Sequence, residues 1–245
     1  RSPYSGSSAA PDPILALFAS GEQGAWYDPS DSATVFTDAA GTISAVENDS
    51  VRHIADKSGN GNHATQADIA KAPILRKTAG GLWYLEFDGV DDFLDAPALL
   101  SGTKFTLFFA GARTDLDNIS PFYVQETSPQ DRAFFYPTRN ASDAKILIGI
   151  GGDFPAVTPV QDTNPHVYSW KRDSANNDLT FDSDEHSLTT NTSSVSATTF
   201  RIGGRTTNQF ALVDFYGGAI VDALVDKPKI DGAISEFADK AGVTL

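Results

Sequence analysis

The chain has 245 residues, 40% apolar and only 20% charged, which suits a globular protein large enough to bury a real core. Eighteen basic against thirty-two acidic residues leave a formal charge of −14, which sets the surface against phosphate backbones and anionic membranes. With no cysteine, a disulfide framework, a thiolate metal site and a cysteine nucleophile are all excluded.

In chain order, residues 1–13 (RSPYSGSSAAPDP) read as a Ser/Pro/Gly-rich linker from an upstream region. Residues 14–245 read as one domain, since no fixed-period repeat and no composition shift divides them. Short apolar segments with turn residues between them predict a sandwich rather than alternating strands and helices. Lys104 to Arg113 (KFTLFFAGAR) is apolar on both faces and is expected to be a central strand. Lys145 to Ile150 and His166 to Lys171 are similar, the second placing His166, Tyr168 and Trp170 on one core-facing side. A last strand is expected over Phe215 to Val225. Ile230, Ile234, Phe237 and Ala238 then follow helical spacing, with Asp231 as N-cap and Gly242 as stop, giving a short helix expected against a sheet edge.

The run Trp83 to Phe93 (WYLEFDGVDDF) is the clearest landmark. Asp88-Gly89 is a turn dipeptide that should end a strand and form a hairpin corner. Glu86 and Asp88 are two apart on that strand, and the turn argues against their serving as an acid/base pair. The acidic side chains Asp88, Asp91, Asp92 and Asp95 gather near one corner, and calcium is the ion suited to such a set of hard oxygen ligands. Asp56-x-Ser58-x-Asn60-Gly61 resembles the first half of an EF-hand loop, but Ala67 stands where a bidentate Glu is needed, so a turn with positive φ at Gly59, Asn60 and Gly61 is expected. No Gly-x-Ser-x-Gly elbow and no His-Glu-x-x-His pair occur. For sugar binding, which uses ring faces flanked by polar groups, the candidates are Trp26, Tyr27, Trp83, Tyr84 and Tyr136, with Tyr123 and Tyr216 also in the aromatic set, and one member of each adjacent pair is expected at the surface.

Four segments occur in a telling order: GAWYDPSD at 24–31, DKSGNGNHAT at 56–65, WYLEFDGVDDF at 83–93 and RIGGR at 201–205. In these the chain resembles the concanavalin A-like lectin/glucanase superfamily, LamG-like jelly rolls of the kind found in phage tail, fibre or spike proteins. The resemblance spans 14–245 and implies an all-β fold, a two-sheet antiparallel jelly-roll sandwich with one short C-terminal helix. It implies a carbohydrate-recognition or adhesion domain on the exterior of a phage-like virion or bacterial surface assembly. Its partners would be host-surface polysaccharide and neighbouring virion or surface-assembly subunits, with no nucleic acid and no membrane, and its location the virion surface or extracellular space. With no catalytic motif recognised, the expectation is a domain that is not an enzyme. The alternatives are a structural or decorative virion domain without glycan binding, and a polysaccharide hydrolase or lyase.

Overall fold

A computed structural model describes residues 12–114, 122–128, 131–136, 146–153, 155–158, 162–196, 198–205 and 209–245. The linker expected at 1–13 therefore lies almost wholly outside the described residues. In chain order the first strands are Gly24–Tyr27 (β1), Val35–Phe36 (β2), His53–Ile54 (β3), Ala64–Thr65 (β4), Ile74–Lys77 (β5), Trp83–Asp88 (β6) and Leu94–Pro97 (β7). The middle ones are Lys104–Arg113 (β8), Tyr123–Ser128 (β9), Asp131–Tyr136 (β10), Ile146–Ile150 (β11), Ala156–Val157 (β12) and Pro165–Asp173 (β13). The last are Asn176–Phe181 (β14), Asp184–Thr189 (β15), Thr199–Ile202 (β16), Gly204–Arg205 (β17), Gln209–Phe210 (β18) and Leu212–Val221 (β19), followed by one α-helix, Lys227–Ala241 (α1).

These strands build an antiparallel β-sandwich of the jelly-roll kind with a C-terminal helix. One sheet runs β15-β14-β13-β8-β19-β6-β5, with β1 also paired to β19. The facing sheet runs β12-β11-β10-β9-β16-β7-β4-β3-β2. β8 is central, between β13 and β19, and every residue from Phe105 to Arg113 is buried, because the strand has a second layer on each side. Phe105, Leu107 and Phe109 enter the core between the sheets, where Phe109 meets Phe122, Tyr123, Phe135, Tyr168 and Phe215. Each such ring contributes about 1.5–3 kcal/mol through burial. Phe108 and Ala110 face outward into a second cluster.

Helix α1 covers that second cluster. Ile230, Ala233, Ile234, Phe237, Ala238 and Ala241 are buried on Phe108, Ala110, Ala219 and Val221. The helix therefore crosses the outer face of the sheet rather than lying at its edge, since an apolar outer face has to be covered. Its N-cap is Asp226, not Asp231, and Pro228 occupies the first turn, where a missing N–H costs nothing. Asp231 instead pairs with Lys227 one turn back. Gly242 ends the helix in the left-handed conformation, as expected.

The final strand begins at Leu212, three residues earlier than its sequence pattern suggests, and stops at Val221. Its pairing with β8 slips between Phe215 and Gly217, a bulge that leaves Tyr216 as the extra residue. Before the bulge β19 pairs with β6, and after it with β1. At the start of β1, a Cβ on Gly24 would sit 1.9 Å from the carbonyl oxygen of Ile220, so only glycine lets these strands close. The Asp88-Gly89 turn ends β6, with Gly89 at φ 72°, but it is no hairpin. β6 belongs to one sheet and β7 to the other, so the turn carries the chain across the sandwich. The sequence cannot distinguish these cases, since both need the same turn chemistry.

Candidate functional site

The corner after β6 is held together by its own carboxylates. Asp88 Oδ1 accepts from the backbone N–H groups of Val90, Asp91 and Asp92 at 2.8, 3.2 and 3.3 Å, and Asp92 Oδ2 accepts from the Asp88 N–H at 3.0 Å. Asp88, Asp91 and Asp92 each place a carboxylate oxygen within 4.8 Å of the others. Burial, followed by the charge of Asp88, raises Asp92 to about 6. Asp95 does not join them. It lies on β7, gripped by Arg201 Nε and Nη2 at 2.7 Å each, and that guanidinium stacks over Phe93.

A different carboxylate pair emerges two residues earlier. Alternation along β6 sends Leu85 and Phe87 into the core and leaves Tyr84 and Glu86 on the outer face. Glu86 is directly opposite Asp214 of β19. Arg76 of β5 donates from Nε to Glu86 at 2.7 Å and from Nη1 to Asn48 Oδ1 at 2.5 Å. Nothing among the described residues donates to the carboxylate of Asp214. Its burial, then the charge of Glu86, raises it to about 7, against a smaller opposite pull from Arg76.

The bulge places Tyr216 beside this pair, its ring 5.3 Å from that of Tyr84. Tyr216 is 3% exposed, yet among the described residues its hydroxyl has no hydrogen-bond partner. Burial and then Asp214 raise that hydroxyl to about 12. The strip thus combines two aromatic rings, two carboxylates and a guanidinium, on strands distant in sequence. Composition gives no hint of the pairing of Glu86 with Asp214. It would have required the register of β19 against β6, which the bulge at Tyr216 obscures.

The other aromatic candidates are dispersed. Trp26 and Tyr27 are both buried, so neither is the surface member of its pair. Tyr27 donates its hydroxyl to the Asn62 carbonyl at 2.6 Å, and Lys57 lies over the ring of Trp26. Trp83 and Tyr84 face opposite ways, Trp83 toward the inter-sheet core at the sheet edge beneath Lys77 and Tyr84 outward. Tyr136 ends β10, and its side chain lies outside the described residues.

The Asp56–Asn62 segment is a structural clamp. Asp56 accepts from the backbone N–H groups of Trp26, Ser58 and Asn62, while Asn60 and Asn62 donate to the Gly24 carbonyl. Gly59 and Gly61 take positive φ, and Asn60 does not. His166 faces Asp182 at 2.8 Å and Asp162 at 3.0 Å. Burial opposes its charged form, but those hydrogen bonds outweigh burial and raise its pKa. Arg172 is fully buried, donating from Nη2 to the carbonyls of Asn191 and Ser193.

No protein-family model matches the chain, and no curated protein sequence matches it either. Among solved structures it is similar to a GH54 α-L-arabinofuranosidase mutant soaked with 4-nitrophenyl α-L-arabinofuranoside, at TM-score 0.69 and 12% identity over 94% of this chain. It is similar to domain 4 of AbnA, a GH43 extracellular arabinanase from Geobacillus stearothermophilus in complex with arabinotriose, at TM-score 0.60 and 10% identity, covering 90% of this chain and 100% of that one. It is also similar to part of the Trypanosoma rangeli sialidase, at TM-score 0.60 and 11% identity over 92% of this chain. The chain spans 65% of the arabinofuranosidase and 34% of the sialidase, and at these identities the likeness is one of fold.

The fold is thus a β-sandwich shared with parts of proteins described as glycoside hydrolases. The expectation that the protein is not an enzyme is corrected by that finding: it rested on missing motifs, and such motifs describe only some of the enzymes built on this sandwich. No helix among the described residues is long and apolar enough to cross a membrane.

Proposed function

We propose that this is a polysaccharide-interacting domain whose sugar site is the outer-face strip of Arg76, Tyr84, Glu86, Asp214 and Tyr216. The observation that carries this reading is a half-buried tyrosine ring set beside carboxylates and a guanidinium on the outer sheet face. Ring faces pack against the C–H faces of sugars, and charged groups with spare hydrogen-bonding capacity take the hydroxyls. Similarity to a domain in complex with arabinotriose supports it. In its biological setting the domain sits on the exterior of a phage-like particle or bacterial surface assembly, where it meets host-surface polysaccharide and neighbouring subunits; the motif resemblance of 24–31, 56–65, 83–93 and 201–205 supports that setting.

Calcium belongs to the same proposal as a stabiliser of the corner. Ligand oxygens within 4.8 Å of one another fit a cation that binds oxygen at about 2.3–2.6 Å. Asp88, Asp91 and Asp92 would hold it through the oxygens not committed to the turn. Affinity electrophoresis against arabinan, arabinoxylan and purified capsular polysaccharides tests the sugar site. Retardation that falls about tenfold in Tyr84→Ala is expected, since loss of ring stacking of about 1.4 kcal/mol corresponds to that factor. Equal mobility of parent and variant in every gel would overturn it.

A further inference from the structure

We propose that Glu86 and Asp214 are a catalytic carboxylate pair that hydrolyses glycosidic bonds of a neutral polysaccharide, with Glu86 as nucleophile and Asp214 as acid/base. This rests on the sugar site proposed above and assigns it a reaction. Three independent features converge. Residues directly opposed on antiparallel strands hold their Cβ atoms about 4.5–5.5 Å apart. That register puts both carboxyls within reach of one sugar residue, as a glycosidase's pair of acids requires. The two carboxyls also have different surroundings: Glu86 receives Arg76, while Asp214 receives no donor among the described residues. Such unequal environments separate the roles of two acids. Finally, Tyr216, the extra residue of the bulge, is close enough to Asp214 to feel its charge, and no described residue hydrogen-bonds its hydroxyl.

The steps balance. A Glu86 carboxylate oxygen bonds to the anomeric carbon as the glycosidic C–O bond breaks. The leaving oxygen keeps the electron pair and takes the proton of Asp214. Water then attacks the anomeric carbon and gives its proton to Asp214, and the bond to Glu86 breaks to restore the carboxylate. Arg76 is a positioning residue that holds Glu86 in place. Glu47 also acts on Tyr84 through its charge, so Glu47 and Glu86 together outnumber Arg76 and disfavour an anionic sugar.

The test is product chromatography after incubating the full chain, Glu86→Gln and Asp214→Asn with arabinan, arabinoxylan, xylan, mixed-linkage β-glucan and mannan, with circular dichroism confirming the fold of each. Cleavage of at least one polymer by the parent is expected, with losses of about 10²–10⁴-fold in each variant. Aryl glycosides of the released sugar separate the roles. A 2,4-dinitrophenyl leaving group needs no protonation, so Asp214→Asn should regain first-step turnover on it and Glu86→Gln should not. No cleavage of any polymer by the parent, or full activity in either folded variant, overturns the proposal. Retardation in the polysaccharide gels without cleavage overturns only the catalytic assignment, and absence of both overturns the sugar site as well.

Discussion

Strand β6 carries two acidic neighbourhoods that differ in what their oxygens do. At its end Asp88 accepts from three backbone amides, and Asp92 accepts from the Asp88 amide. Two residues earlier Glu86 has one ionic partner, and opposite it Asp214 has none among the described residues. The first group is spent on making the chain cross between sheets. The second is held by strand register in a place where its chemistry is left over. Acidic density in the sequence marks the first group and misses the second, so density is a poor guide to function here.

The largest expected separation comes from removing the corner's acceptor. Asp88→Ala leaves three amides without it, and at about 1 kcal/mol each the loss approaches about 3 kcal/mol. A domain of this size should then melt roughly 6–12 °C lower by calorimetry, with sugar cleavage by the remaining folded protein unchanged. Asp214→Asn should do the reverse. The folded-state value of Asp214 is raised from 3.8 to about 7. Folding is therefore unaffected while both states are protonated, below about pH 4; the penalty grows between about pH 4 and pH 7 and is complete above about 7. Urea titrations at pH 5 and pH 8 should show Asp214→Asn gaining on the order of 2 kcal/mol over the parent at pH 8 and less at pH 5. Equal gains at both would detach Asp214 from a buried, raised carboxyl.

Much of the sandwich was legible because apolar alternation and turn residues are local signals. β8 carries its centrality in its own ten residues, and α1 in the spacing of Ile230, Ile234 and Phe237. What was illegible depends on pairing. Whether Asp88-Gly89 joins partners or crosses between sheets depends on β19 and β16, more than a hundred residues away. Asp95 looks like part of an acidic run until Arg201 claims it. Of the proposed sugar contacts, Tyr84, Glu86 and Tyr216 stood out in the sequence singly, whereas Arg76 and Asp214 did not, and the bulge hides the register that brings Tyr216 and Asp214 to Glu86.

Smaller effects sharpen the contrast. Calcium at tenfold above its dissociation constant should raise stability by about 1.4 kcal/mol, read as a rise in melting temperature that Asp91→Ala abolishes and Asp214→Asn leaves intact. An equal rise in Asp91→Ala would move the ion elsewhere. Arg76→Ala should shift the alkaline limb of the turnover profile slightly upward, since Arg76 opposes the rise of Asp214, the group that must stay protonated to act as acid.

The most direct measurement is a carbon-13 NMR titration of the Asp214 side-chain carboxyl in the parent and in Glu86→Gln. A midpoint near 7 in the parent, falling when Glu86 loses its charge, is the predicted result. A midpoint in the ordinary aspartate range near 4, unmoved by that substitution, would contradict the coupled pair.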